Sequence, residues 1–122
     1  MSVVETSVAP PNSIVFVVDP THVSVVPEDT GVALVTATDS CVAIGTREQA
    51  SGETRIRLET ASGDLEGSVV FQGLLETPGR KVAVETSELD RLVAIDVENA
   101  STHIKVWVDD DSEPSSITIQ LK

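Results

Sequence analysis

The densest group of chemically active side chains is the acidic run Asp109-Asp110-Asp111-Ser112-Glu113, which Pro114 follows. Carboxylate oxygens in a loop are ligands that Ca²⁺ prefers, so the run is a candidate cation site. Its spacing does not match an EF-hand loop, because the required turn glycine is missing. The same carboxylates could instead attract a basic protein by long-range steering. A solvated hairpin loop without any ligand is the third interpretation, and the sequence leaves all three open.

Trp107 lies two residues before this run and is the single tryptophan of the chain. In the strand predicted for His103–Val108, alternation places Trp107 on the outward face with His103 and Lys105. A tryptophan among polar residues often anchors a protein contact, so we expect Trp107 to be partly exposed. The alternative is that this face packs against another element and that Trp107 belongs to the core. The candidate partner-binding surface therefore comprises Trp107, Asp109, Asp110, Asp111 and Glu113.

Catalysis would have to use one of the two histidines, His22 and His103. A nucleophilic serine or cysteine needs a neighbouring histidine that an acid orients. Both histidines are predicted on polar strand faces, where ordinary surface residues are common. The sequence contains no Gly-x-Ser-x-Gly elbow, no phosphate-binding glycine loop and no His-Glu-x-x-His zinc motif. We therefore expect a protein that is not an enzyme and that has no catalytic residue, cofactor or metal ion.

The net charge of −12 limits the classes of partner. Nucleic acids and anionic membrane surfaces would repel such a chain, so we expect neither as a partner. The low aromatic content of 2% also leaves few side chains on which single-stranded bases could stack. A basic protein is the partner that this charge favours, although self-repulsion for solubility explains the acidity equally simply.

Cys41 is the only cysteine, so the chain cannot form an internal disulfide, and its apolar neighbours predict a buried thiol. The first residues, Met1-Ser2-Val3-Val4-Glu5, lack the basic and apolar regions of a signal peptide. No apolar run approaches the length of a membrane span. We therefore expect a cytoplasmic protein.

Short runs rich in β-branched residues alternate with turn signals from residue 13 onward. The predicted strands are Ser13–Val18, His22–Val26, Val32–Thr38, Cys41–Thr46, Thr54–Thr60, Ser68–Glu76, Lys81–Thr86, Leu92–Val97, His103–Val108 and Ile117–Leu121. Residues 1–12 end in Pro10-Pro11-Asn12 and are predicted as a loose leader before a domain spanning 13–122. Residues 87–91 could form a single helical turn that Ser87 caps, or a plain strand connection.

Most of these runs have one apolar and one polar face. Ile56 and Leu58, for example, alternate with Arg55 and Arg57. By contrast, residues 14–18 are apolar on both faces, as in a central or covered strand. Strands with one apolar face are buried naturally when two sheets pack face to face. The prediction is therefore an all-β sandwich of eight to ten short, mostly antiparallel strands.

The order of these segments also resembles a known family. The resemblance rests on residues 31–35, 42–46, 66–75, 76–84, 103–106 and 117–121, and it covers most of residues 30–122. These segments are similar to the competence nuclease inhibitors (ComJ-like), a group of small bacterial β-sandwich proteins. The resemblance implies a non-catalytic acidic protein that inhibits a nuclease or neutralises another basic partner. It carries over no binding residues.

Two functions follow as expectations. The first is a non-catalytic acidic binding protein, of the inhibitor or immunity type, that masks a basic partner such as a nuclease. The second is a structural β module whose exposed strand edges pair with copies of itself, which would make a homo-oligomer. A salt-insensitive, concentration-dependent change in size would favour the second. A small hydrolase or ligand-binding sandwich would need a cleft that the sequence does not indicate.

Overall fold

The computed structural model describes residues 2–28, 33–61 and 63–122. Within these ranges the chain forms ten strands and two single-turn 3-10 helices, at Pro11–Ser13 and Gln49–Ser51. The strands are β1 (Val3–Val8), β2 (Ile14–Val18), β3 (Val35–Ala37), β4 (Cys41–Gly45), β5 (Thr54–Glu59), β6 (Ser68–Glu76), β7 (Lys81–Thr86), β8 (Arg91–Asp96), β9 (Ser101–Val108) and β10 (Ser116–Leu121). In the described part of the chain, no helix is long and apolar enough to cross a membrane.

The strands form two five-stranded sheets. Sheet A has the order β1-β5-β10-β9-β6, and sheet B has the order β3-β4-β2-β7-β8. Strands β5 and β10 are parallel, whereas the other neighbouring pairs are antiparallel. The predicted all-β sandwich is confirmed.

The core between the sheets is aliphatic, as the composition predicts. Ile56 and Leu58 of β5 are fully buried, and so are Val82 and Val84 of β7. Each such side chain contributes roughly 1.5–3 kcal/mol on burial. The inward faces of the other long strands complete the cluster with Val15, Val17, Val42, Ile44, Leu75, Ile95, Ile104, Val106, Val108, Ile117, Ile119 and Leu121.

Eight of the predicted strands are confirmed with small shifts at their ends, and they correspond to β2 and to β4 through β10. The predicted strand His22–Val26 is wrong, because this segment is irregular. The backbone of Val25 forms hydrogen bonds with side chains and not with a neighbouring strand. Its N–H donates to Ser40 Oγ at 2.7 Å, and its carbonyl accepts from Thr38 Oγ1. Of the predicted strand Val32–Thr38, the part at 35–37 forms β3, and Val32 lies outside the described residues.

The prediction of a loose leader over residues 1–12 is also wrong, because Val3–Val8 form β1. This strand pairs in antiparallel register with β5 at the edge of sheet A. Val4 and Val8 pack against the core, and Glu5 pairs with Arg55 at 3.0 Å on the outer face. Glu5 also lies 3.6 Å from Arg57, so two inward valines, two outward ion pairs and the pairing with β5 all connect these residues to the sheet.

Residues 87–90 form a strand connection between β7 and β8 and not a helical turn. Thr86 organises it: the Thr86 carbonyl accepts from Leu89 N at 3.0 Å, and Thr86 Oγ1 accepts from the backbone N–H groups of Glu88 and Asp90. The hydroxyl replaces the hydrogen bonds that a helical turn would supply.

The connection between β5 and β6 has to cross two strands, because β10 and β9 lie between them in sheet A. The described residues of this connection, 60–61 and 63–67, lie on the outer face, where Gln120 Nε2 donates to the Gly63 carbonyl at 3.2 Å. We call it the 60–67 connection. At its far end Gly67 lies against the Val108 carbonyl so closely that a Cβ would overlap it. The outer face of sheet A is therefore partly covered.

Candidate functional site

Trp107 lies on the outward face of β9, as alternation predicts, but it is only 7% exposed. The expectation that it is partly exposed is wrong, because the connection between β5 and β6 crosses this face, with Gly63 bonded to Gln120. Its indole Nε1 donates to Gln120 Oε1 at 2.7 Å, so the polar edge of the ring is satisfied within the protein. Little of the indole remains for a partner to contact.

Lys105 completes the environment of this tryptophan. Its Nζ lies 5.0 Å from the centroid of the indole ring, within the range of a cation–π interaction. His103, two residues earlier on the same face, is half-buried. The other histidine, His22, is exposed and lies beside the outer face of sheet B. The two histidines therefore lie on opposite outer faces of the sandwich and do not share a site.

Asp109 is the residue that shapes the acidic loop between β9 and β10. Its Oδ1 accepts from the backbone N–H groups of Ser115 and Ser116, each at 3.0 Å, and its Oδ2 accepts from the Ser115 hydroxyl. Partial burial acts to raise the pKa of Asp109, but these hydrogen bonds outweigh it and hold the pKa below its ordinary value. Asp109 therefore closes the hairpin loop.

Asp110 has a similar local role. Its Oδ1 accepts from the Ser112 hydroxyl at 2.7 Å and from the backbone N–H groups of Ser112 and Glu113. The hydrogen bond from the Ser112 side chain is the main reason that the pKa of Asp110 lies below its ordinary value. The carboxylates of Asp111 and Glu113 are exposed. Across residues 2–28, 33–61 and 63–122, no three His, Cys, Asp or Glu side chains converge closely enough to hold a metal ion.

Two further loops lie at the same end of the sandwich as the acidic loop. Residues 46–53 follow β4, and Arg47 N donates to the Pro114 carbonyl at 3.2 Å. Residues 87–90 follow β7, whose end pairs with the start of β2. We call loops 46–53, 87–90 and 109–115 the acidic end. Its exposed carboxylates belong to Glu48, Glu53, Glu88, Asp90, Asp109, Asp110, Asp111 and Glu113.

Arg47 is the one basic residue in these three loops. Its guanidinium donates to the Ser51 carbonyl at 3.0 Å, and it lines a shallow depression of about 430 Å³ together with Asp109 and Glu113. The acidic end is thus strongly negative, with eight carboxylates against one guanidinium. Sequence reasoning found the four acids of the β9–β10 loop and missed the other four, because their position depends on strand order.

The single cysteine lies outside this end. Cys41 is fully buried on β4, as predicted from its apolar neighbours. Burial, with a smaller effect of the nearby Glu85 carboxylate, raises the pKa of the Cys41 thiol to about 11. The thiol therefore stays protonated at neutral pH.

Comparison with known proteins gives one informative likeness. No protein-family model matches the chain, and no curated protein matches it. A solved structure described as "ComJ, inhibitor of the DNA degrading activity of NucA, from Bacillus subtilis" is similar with a TM-score of 0.70 and 15% sequence identity. The likeness covers 96% of this chain and 92% of ComJ. The resemblance seen in the order of the segments is thus confirmed for the fold: the chain has the same β-sandwich as ComJ.

Proposed function

We propose that this protein is a non-catalytic acidic binding protein that masks the basic surface of a partner, and that the partner is a nuclease. The observation that carries the proposal is the acidic end, where eight exposed carboxylates from three loops lie together. A nuclease must bind polyanionic DNA and therefore presents a basic surface, which a negative protein surface can cover. The likeness to ComJ supports the same class of role.

The structure of the β9–β10 loop suits a pre-formed contact surface. Asp109 and Asp110 are held by hydrogen bonds within the loop, so the loop loses little conformational freedom on binding. Asp111 and Glu113 are exposed beside them and can meet basic side chains directly. Asp109 and Asp110 thus support the loop, whereas Asp111 and Glu113 supply the contact. Trp107 is buried and bonded to Gln120, so we do not include it in the proposed contact surface.

The test begins with immobilised protein, a lysate of the source organism and elution by a rising salt gradient. The salt-eluted fraction is assayed for degradation of DNA, and the free protein is then added back. We expect DNA degradation in the eluate and its inhibition by added protein. An eluate without this activity, or an activity that the protein does not reduce, would overturn the nuclease-inhibitor proposal.

A matched pair of variants locates the contact surface once a partner is available. The first carries E48Q, D111N and E113Q at the acidic end, and the second carries D39N, E76Q and E98Q at the opposite end; all six side chains are exposed. Both variants lose three negative charges. We expect the first to slow association roughly tenfold at low salt and to flatten its salt dependence, and the second to have little effect. Equal effects of the two would show that net charge matters and not the acidic end.

A second candidate function is self-assembly, and the edge strand β6 favours it. This strand has nine residues and ends sheet A, and its Val69 and Leu74 side chains are exposed. An uncovered edge can pair with another strand, although the bulge between Val69 and Phe71 disfavours pairing along the full length. Sedimentation over a range of protein and salt concentrations tests it. A salt-insensitive increase in size with concentration supports assembly, and a constant monomer excludes it.

A further inference from the structure

Leu89 combines a backbone conformation that is unfavourable for leucine with an exposed apolar side chain. It lies in the 87–90 turn with φ of 65°, a left-handed conformation that glycine and asparagine adopt more easily. Its side chain is 82% exposed. The hydrogen bonds to Thr86 fix this turn, so the strained conformation is well determined. Strain and exposure on the same apolar residue indicate a role outside folding.

Leu89 forms one wall of a cavity of about 420 Å³ on the outer face of sheet B. Outward-facing Phe16 and Val18 of β2 form its floor, and Val26, from the irregular segment after β2, forms the opposite wall. The cavity is therefore lined largely by apolar side chains. Its mouth lies beside the acidic end, because Leu89 stands between Glu88 and Asp90.

The Glu85 carboxylate lies near the floor of this cavity. Glu85 lies beside Phe16 on the neighbouring strand β7, and its side chain is only 18% exposed. Cys41 lines the same cavity, so the carboxylate lies among the buried side chains near its floor. Arg91 Nε approaches Glu85 Oε2 at 3.6 Å, which is too long for a strong hydrogen bond. The carboxylate therefore retains capacity to accept further hydrogen bonds.

The other charged groups around the cavity do not compete for this role. The Asp19 carboxylate is occupied by Thr21 and by the Gly79 N–H, which donates at 2.6 Å. His22 lies exposed at the mouth. Apolar walls with an available carboxylate near the floor match a side chain that is long, aliphatic along its stem and cationic at its tip. A planar guanidinium additionally stacks on an aromatic ring such as Phe16.

We infer that this cavity receives an arginine side chain of the basic partner, with the guanidinium at Glu85 and the methylenes against Phe16, Val26 and Leu89. This inference rests on the proposed function and adds a specific contact to it. The acidic end attracts the partner, and the neighbouring cavity fixes its position. Charge complementarity and the continuity of the two surfaces at Leu89 both favour this occupant.

The probe is a peptide of alternating arginine and glycine, with a matched peptide in which citrulline replaces arginine. Binding is followed by NMR titration of the ¹⁵N-labelled protein. We expect the arginine peptide to shift the amide signals of Cys41, Glu85 and Leu89, and the citrulline peptide to leave them unchanged. E85Q should raise Kd about tenfold or more, the effect of losing one charge-assisted hydrogen bond.

E76Q is the matched control, because it removes the same charge from an exposed side chain at the end of the sandwich opposite the acidic end. It should leave Kd close to that of the unaltered protein. L89N tests the apolar wall independently: it should fold at least as well as the unaltered protein and bind the arginine peptide more weakly. This variant keeps the test valid even if E85Q disturbs the pairing with Arg91.

Three results would overturn the inference. Signals that shift only in loops 46–53 and 109–115, or equal increases of Kd in E85Q and E76Q, would mean that the peptide responds to general negative charge. The proposed function would survive both results, because it needs only the acidic end. A peptide that shifts no signal would also overturn the inference that the cavity binds arginine. The proposed function would still be decided by the nuclease capture and inhibition assay.

Discussion

Trp107 and Gln120 lie on the adjacent strands β9 and β10, and Trp107 Nε1 donates a 2.7 Å hydrogen bond to Gln120 Oε1. The Gln120 amide then donates through Nε2 to the Gly63 carbonyl at 3.2 Å. These two bonds link the tryptophan to the connection that crosses above it. One glutamine therefore holds the 60–67 connection over Trp107.

Gln120→Leu should destabilise the protein and expose the tryptophan. The substitution leaves the buried indole N–H without an acceptor, at a cost of about 1–3 kcal/mol in the free energy of unfolding. It also releases the 60–67 connection, so quenching of Trp107 fluorescence by acrylamide should increase. Urea denaturation and quenching measure the two effects. Gln72→Leu is the control, because Gln72 lies exposed on the same sheet face. Equal quenching in the two variants would contradict this account.

Gly79→Ala should lower the free energy of unfolding by about 2–4 kcal/mol, because an overpacked contact and a weakened hydrogen bond combine. An alanine Cβ would overlap Thr21 Oγ1 and would come within 2.8 Å of Thr21 Cβ. It would also disturb the Gly79 N–H that donates to Asp19 at 2.6 Å.

Gly63→Ala is the control for this prediction. Gly63 has φ of 121°, and an alanine Cβ there would meet no other atom within 4 Å, so that substitution adds backbone strain without a clash. It should cost only about 1–2 kcal/mol. Thermal or urea unfolding of both variants measures the difference. A Gly79→Ala protein as stable as Gly63→Ala would show that Thr21 can move away from the new Cβ at little cost.

Asp19 should make stability depend on acid pH. Burial acts to raise its pKa, but hydrogen bonds from Thr21 and from the Gly79 N–H outweigh it and lower the pKa. Because the folded pKa lies below the unfolded value of about 3.9, the stabilisation is complete above that pH. It is lost as the pH falls through the folded pKa.

Asp19→Asn should therefore reduce stability at neutral pH by about 1–3 kcal/mol and flatten the loss of stability in acid. Urea denaturation at a series of pH values, from neutral pH down to the acidic range in which stability is lost, measures both effects. Asp111→Asn is the control, because its carboxylate is exposed. If Asp19→Asn loses stability in acid as steeply as the unaltered protein, other carboxylates cause that loss.

Leu89→Asn should stabilise the free protein. Asparagine tolerates the left-handed conformation at φ of 65° better than leucine, and the exposed leucine side chain contributes no burial. We expect a gain of about 0.5–1 kcal/mol in the free energy of unfolding. Thermal unfolding against Glu88→Asn, a neighbouring exposed position, measures it. A loss of stability would mean that Leu89 packs within the turn after all.

The strands could be predicted because their signal is local. Alternation in Thr54–Glu59 and Lys81–Thr86 depends on neighbouring residues only, and the structure confirms both the strands and their inward faces. The strand at Val3–Val8 was missed because only Val4 and Val8 of its inward residues are apolar. Its place in the sheet comes from pairing with β5, which is distant in the sequence.

The candidate site could be predicted only in part, because its geometry depends on strand order. The outward orientation of Trp107 follows from alternation, but its burial follows from the 60–67 connection crossing β10 and β9. The grouping of Glu48 and Glu88 with the β9–β10 loop likewise follows from which strand ends meet. Neither fact is encoded in the neighbouring residues.

The position of β10 bears on how the protein forms during synthesis. Sheet B draws its strands from residues 14–96, whereas Ser116–Leu121 occupy the centre of sheet A between β5 and β9. The ribosome makes this central strand after β1 through β9. Without it, the strands of sheet A can form only two separate antiparallel pairs, β1 with β5 and β6 with β9. Completion of the sandwich therefore requires a strand that is made last and that joins these two pairs.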